Sequence, residues 1–226
     1  NPVFIRQNPG KNTFRHSLTG SLRGYTMLGT ASSAVYPKWG IGAEIGASGS
    51  LESSRYLSPM GYFYLYGYVP GILSEQGLKL TLMTQQKLRS DSVFGQPIVS
   101  ILPRGLSSNA SIASWLSIRN ANITKITADY AVPVFIGDIA LGGNFFSIKR
   151  LVVTPHFDYS FIGRKGLWSA GADLTLDMHS ILTLEWPCSF GVTMSYNGGP
   201  SWKSISTDSG ITLDRFHIGP TFNVSF

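Results

Sequence analysis

The residues best suited to chemistry cluster in the second half of the chain. His156, Asp158 and Ser160 recur at every second position, so on an extended strand all three share one face. A base, an acid and a hydroxyl are the parts of a nucleophilic triad, which makes hydrolysis the chemistry to weigh. The spacing argues against it. Side chains two apart on a strand are separated by about 7 Å, whereas a triad needs contacts of about 3 Å with the nucleophile beside its base. A buried polar network is the expected role, and no catalytic residue is assigned. His16, His179 and His217 stand apart from any HExxH-type spacing, and Cys188 is the sole cysteine. An intrachain disulfide and a CxxC pair are excluded, and neither a metal nor a cofactor is expected.

Two further patterns have a chemical and a structural reading. Tyr62, Tyr64, Tyr66 and Tyr68 form a four-tyrosine row on one strand face, which could contact a sugar or lipid but reads better as girdle or interior packing. The net charge is +6, yet Lys and Arg are scattered and never form a run. Nucleic-acid binding needs a stripe of cations that tracks phosphates, so it is not expected.

The elements that position these residues read as strands. Of the 226 residues, 43% are hydrophobic and only 13% charged, about half the charge of an ordinary soluble protein. No window approaches the roughly 20 unbroken apolar residues of a membrane helix. If the chain spans a membrane, a closed β-barrel is the remaining way to satisfy its backbone hydrogen bonds. Period-two alternation supports that choice. Trp39, Ile41, Ala43, Ile45 and Ala47 oppose Lys38, Gly40, Gly42, Glu44, Gly46 and Ser48. Trp168, Ala170, Ala172, Leu174, Leu176 and Met178 oppose Ser169, Gly171, Asp173, Thr175 and Asp177. Cys188, Phe190, Val192, Met194 and Tyr196 oppose Ser189, Gly191, Thr193, Ser195 and Asn197. One face suits lipid, and Cys188 falls on it. The other is polar and glycine-rich, where a soluble sandwich would place its apolar core.

Further strands are expected over 18–28, 62–69, 78–88, 123–135 and 145–161, each meeting the roughly 9 to 11 residues that a tilted strand needs to cross a bilayer. About nine strands result, or ten with one near Val3 and Ile5. Complete bacterial barrels usually have an even number, so the chain reads as the C-terminal part of a larger barrel. With the C-terminus periplasmic, 196–215 becomes an outer loop, 179–187 a periplasmic connection, 163–166 a tight outer turn and 136–138 a tight periplasmic turn. Residues 89–121 then form one long extracellular loop within a single barrel segment, 1–226. Loops of that length are usually functional or disordered.

The last strand carries a further pattern. Phe216, Ile218, Pro220, Phe222, Val224 and Phe226 form an apolar face against His217, Gly219, Thr221, Asn223 and Ser225. This resembles the C-terminal assembly signal of bacterial outer-membrane proteins, here Gly219, Phe222, Val224 and Phe226. Ile218 stands where that pattern usually has a polar residue. The resemblance implies edge-to-edge strand pairing with the barrel assembly machinery.

Within the long loop lies Pro103-Arg104-Gly105-Leu106, with five candidate strands after it, and Phe157-Asp158 occupies the next strand but one. This arrangement resembles the BamA-like barrels of the surface antigen (D15) superfamily, which have sixteen strands. In them a loop with an Arg-Gly-aromatic motif folds into the lumen, and its Arg pairs with an Asp on the next strand but one. The resemblance implies an Arg104–Asp158 ion pair, with Gly105 between Arg104 and a Leu106 that replaces the family's aromatic. Tyr159-Ser160 follows the Asp where a Gly is common. A second match, Leu22-Arg23-Gly24-Tyr25, has the aromatic but lies on an apparent strand with too many strands after it. The strings Ala128 to Val134, Ile148 to Leu151 and Phe157 to Tyr159 are also similar to barrels that follow a TolB-like propeller in Bacteroidetes proteins.

The expectation is therefore an all-β, antiparallel transmembrane β-barrel in a bacterial cell outer membrane. Its partners would be outer-membrane lipid, the assembly machinery and client proteins or partner subunits. The resemblance implies a non-enzymatic role in inserting or translocating outer-membrane proteins. The alternatives are a passive anchor or pore for a propeller domain or partner complex, and a barrel lipolytic enzyme.

Overall fold

The computed structural model describes residues 17–29, 34–50, 57–89, 94–95, 102–106, 122–141, 146–181 and 188–224. In chain order the elements are β1 (Ser17–Met27), β2 (Gly40–Ser50), β3 (Leu57–Ser58), β4 (Met60–Pro70), β5 (Gly77–Lys87) and β6 (Phe94–Gly95). There follow β7 (Ile123–Leu141), β8 (Phe146–Ile162), β9 (Lys165–Ile181), β10 (Cys188–Gly198), the helix α1 (Trp202–Ser209) and β11 (Phe216–Val224). Nine strands form one antiparallel sheet in the order β1-β2-β4-β5-β7-β8-β9-β10-β11. Each long strand pairs with its neighbours along the chain. Among the described residues β1 and β11 are the two edges, and the sheet is not closed. The two-residue β3 and β6 pair in parallel beside it.

Period-two alternation divides the residues between two faces of this sheet. Along β8, Val152, Thr154, His156, Asp158, Ser160 and Ile162 are buried, whereas Phe157 and Phe161 between them are exposed. Across the strands, Ile41, Ile45, Leu80, Ile126, Leu174, Phe190, Val192, Met194, Phe216 and Phe222 stand exposed on the outward face. The buried inward face carries Thr81, Lys125, Thr127, Asp129, Asp158, Ser169, Ser195 and Asn197. Polarity is thus inverted relative to a soluble sandwich, whose interior face is apolar.

Several boundaries differ from expectation. β7 does not turn at 136–138 but runs on to Leu141, with its register to β8 broken between Pro133 and Phe135 and again between Ile136 and Ile139. The Gly137-Asp138 pair that resembles a turn is absorbed as an irregularity inside a 19-residue strand. β9 likewise continues to Ile181. The expected outer loop 196–215 contains α1. Cys188 has the outward register of β10 but is buried rather than facing outward freely. The expected strand at Val3 and Ile5, most of the loop 89–121, and Phe226 lie outside the described residues.

The one apolar cluster among the described residues caps one end of the sheet. Ile123 at the start of β7, Ile162 at the end of β8 and Leu167 early in β9 pack with Leu102 and Leu106 of the loop. Trp202 and Ile205 of α1 and Leu213 complete it. Trp202 and Ile205 are three apart and so share one helix face. The helix ends at Gly210, whose φ of +67° provides the left-handed turn that stops helices. Ser201 Oγ accepts the Gly166 N–H at 3.1 Å, fastening the helix to the β8–β9 turn.

Candidate functional site

The inner wall of β7, β8 and β9 presents three carboxylates from neighbouring strands. Cross-strand register alone brings them together: Asp129 faces His156, Asp158 faces Thr127 and Ser169, and Asp173 faces Thr154 and Thr193. Residues 102–106 lower Arg104 into this wall. Leu102 and Leu106, both in the apolar cap, bracket Arg104 and hold the loop tip down by burial.

Arg104 spreads its contacts over all three acids. Its Nη2 donates to Asp129 Oδ1, and its Nη1 donates to Asp173 Oδ2 at 3.0 Å. Its Nε lies 3.6 Å from Asp158 Oδ2, an ion pair but longer than a hydrogen bond. The closer tie to Asp158 is through the main chain, where the Arg104 backbone N–H donates to Asp158 Oδ2 at 2.9 Å. Lys125 Nζ lies 3.2 Å from the same oxygen and donates to the Leu102 carbonyl at 3.0 Å. Asp158 is fully buried and binds one loop amide and two cations. Burial disfavours the charge on Arg104, but Asp129, Asp158 and Asp173 outweigh that cost and raise its pKa further.

Gly105 makes this approach possible. Its φ of +82° lies in the left-handed region, which L side chains avoid. A Cβ there would also stand 2.6 Å from Asn197 Nδ2 and collide with Ser195 Oγ. The loop backbone therefore rests directly on β10. Ser169 Oγ, Ser195 Oγ and both polar atoms of the Asn197 side chain are buried without a protein hydrogen-bond partner, a local cost to docking.

His156 is buried beside this cluster, its Nδ1 3.5 Å from Asp173 Oδ2. That separation is too long for an effective hydrogen bond, and neither ring nitrogen makes a protein hydrogen bond. Among the described residues no hydroxyl is therefore seated against the imidazole as a triad requires.

Toward the other end of the sheet, Arg150 Nε donates to Asp177 Oδ2 at 2.5 Å. The tyrosine row lines the inner face of β4. Tyr62 donates from its hydroxyl to Glu44 Oε1 at 2.5 Å, and the rings of Tyr62 and Tyr66 lie over Gly46 and Gly42 of β2. Tyr64 and Tyr66 have centroids 5.1 Å apart. The row thus packs against a glycine-lined strand. The alternative Arg-Gly string lies on β1, where Arg23 pairs with Glu44 at 3.1 Å, away from the acid cluster.

The C-terminal residues sit on the edge strand. Gly219 pairs with Thr193 and Phe222 with Phe190, their aromatic centroids 4.7 Å apart on the outward face. Val224 pairs with Cys188 in the backbone ladder. Comparison of the chain with protein-family models, with curated proteins and with solved structures returns no match.

Asp129, Asp173 and Lys125 are the site residues that sequence reasoning did not single out. Alternation placed Asp173 on the inward face, but its meeting with Arg104 depends on sheet register and not on spacing along the chain.

Proposed function

We propose that the chain is part of the wall of an outer-membrane β-barrel of the BamA-like kind, with its outward face against lipid and its inward face toward a polar lumen. In this reading the loop around Arg104 is a folded-in lumen element, and the protein supports insertion or translocation of other outer-membrane proteins without catalysing a reaction. The observation that carries the reading is the inversion of polarity: large apolar side chains stand exposed across the sheet while carboxylates and cations are buried behind it. Soluble monomers rarely expose contiguous apolar patches beyond a few hundred Å², whereas a bilayer requires such a surface.

An insertion role is favoured over a passive anchor or pore by two features. The loop tip occupies the inner face, which suits an open channel poorly. In the described sheet β11 is also an edge strand, and an unpaired edge is a template for adding strands. The reading is tested by folding the full chain into vesicles and following the membrane insertion of an added, urea-denatured outer-membrane barrel. Faster insertion than in protein-free vesicles is expected. Stable membrane integration with no acceleration would leave the anchor or pore, and failure to integrate would remove the barrel reading.

A further inference from the structure

The connection between β1 and β2 does not stay at the sheet margin. Its ends are fastened by the Leu28 N–H, which donates to the Trp39 carbonyl at 2.9 Å. Residues 34–37 between them are half-buried. The Ala34 carbonyl accepts from Arg150 Nη1 of β8 at 2.8 Å, and the same guanidinium is held by Asp177 of β9. Two residues on, Tyr36 packs on Tyr68 of β4, with centroids 5.5 Å apart. It also covers Gly77 at the start of β5, where a Cβ would stand 3.2 Å from Tyr36 Cβ.

Strands lie about 4.8 Å apart, so β4 and β8 are separated by roughly 14 Å along the sheet. A segment that touches both within three residues must lie across the inward face of the sheet. It enters from the end bearing the β4–β5 turn, opposite the end where α1 and residues 102–106 form the apolar cap. The phenol of Tyr36 is pushed above the usual tyrosine range by burial, and Asp129 adds to the rise.

We propose that residues 34–37 form a second strap across the inner face, latched to the wall by Arg150 and Asp177 and seated on Tyr68, which closes the lumen from the end opposite the Arg104 loop. The closure rests on the barrel reading above; the latch does not. In this arrangement the passage is narrowed from both ends, and release of the strap alone widens it.

The test uses the full chain with Arg150→Gln and Asp177→Asn, and Arg23→Ala as a control that breaks the exposed pair with Glu44. Hydrogen exchange of the detergent-folded protein should accelerate about tenfold at residues 34–37 in both latch variants while the sheet amides keep their protection. Small-solute flux through vesicles carrying the latch variants should rise several-fold over wild type, and Arg23→Ala should change neither reading. Unchanged exchange at 34–37 in folded latch variants overturns the strap. Faster exchange without added flux in inserted protein overturns closure of the lumen. If Arg150→Gln exposes the whole sheet, Asp177→Asn decides. If no variant enters vesicles, the barrel reading fails, and exchange alone decides whether the strap is latched.

Discussion

Asp158 holds Arg104 by its backbone more closely than by its side chain: the Arg104 N–H donates to Asp158 Oδ2 at 2.9 Å, while the guanidinium Nε stays 3.6 Å away. The guanidinium is shared instead with Asp129 and Asp173. The site is therefore a cluster of two cations and three carboxylates around a loop amide, and its perturbation follows cluster logic.

Removing Asp158 strands Lys125 and the loop amide in a buried setting. Breaking a buried pair by deleting one partner costs about 3 to 5 kcal/mol, so Asp158→Ala should destabilise by about 3 kcal/mol. Arg104→Ala should cost less, because part of its side chain reaches solvent. Denaturant midpoints of the folded protein in detergent check the order, and a larger loss for Arg104→Ala would contradict it.

Charge reversal provides a second test. With Asp at 104 and Arg at 158, the new carboxylate would sit beside Asp129 and Asp173, so the double variant should not regain the stability lost by either single one. Recovery to within about 0.5 kcal/mol would mean that Arg104 and Asp158 form an isolated pair.

Gly105→Ala should be worse than a typical surface change. The left-handed backbone costs a non-glycine residue roughly 1 to 2 kcal/mol, and the Cβ would displace Asn197 or Ser195. A loss of at least about 2 kcal/mol is expected, with faster hydrogen exchange over 102–106. Wild-type stability would show that the loop does not dock against β10.

The strand pattern was legible because lipid-suited and polar side chains alternate with little interruption, and Arg104, Gly105 and Asp158 stood out as a motif. Asp129 and Lys125 did not, since an inward carboxylate or lysine is ordinary until the fold sets it beside a partner more than twenty residues away in sequence, as it does with Arg104 and Leu102. Helix α1 was hidden because Ser, Thr, Asp and Lys fill it, and its signal is only Trp202 and Ile205 ahead of Gly210. Gly137-Asp138 resembled a turn for the same local reasons that permit a bulge. The strap at residues 34–37 had no sequence signature, because its contacts are a carbonyl and a ring meeting strands far along the chain.

Tyr36 gives the strap a pH signature. Its folded pKa is raised, so the neutral phenol is favoured in the folded state. Its contribution is complete below the unfolded value of about 10 and is lost as pH rises above that, because the unfolded chain then releases the proton first. Asp129, Asp173, Arg104 and Tyr68 are the charged and titratable groups acting on it. Between about pH 10 and 12, Tyr36→Phe should lose stability less steeply than wild type in denaturant titrations. Identical slopes would contradict the burial of the ring.

Contact between the outward face of the sheet and lipid is tested most directly by spin-label accessibility along β10. Labels would be placed singly at positions 189 to 194 in a Cys188→Ala chain folded into vesicles, with collision by oxygen compared with collision by a polar nickel chelate. Labels replacing Phe190, Val192 and Met194 should favour oxygen strongly, and those replacing Ser189, Gly191 and Thr193 should not, giving a period of two. Equal access of the nickel chelate to both sets would contradict a lipid-facing wall.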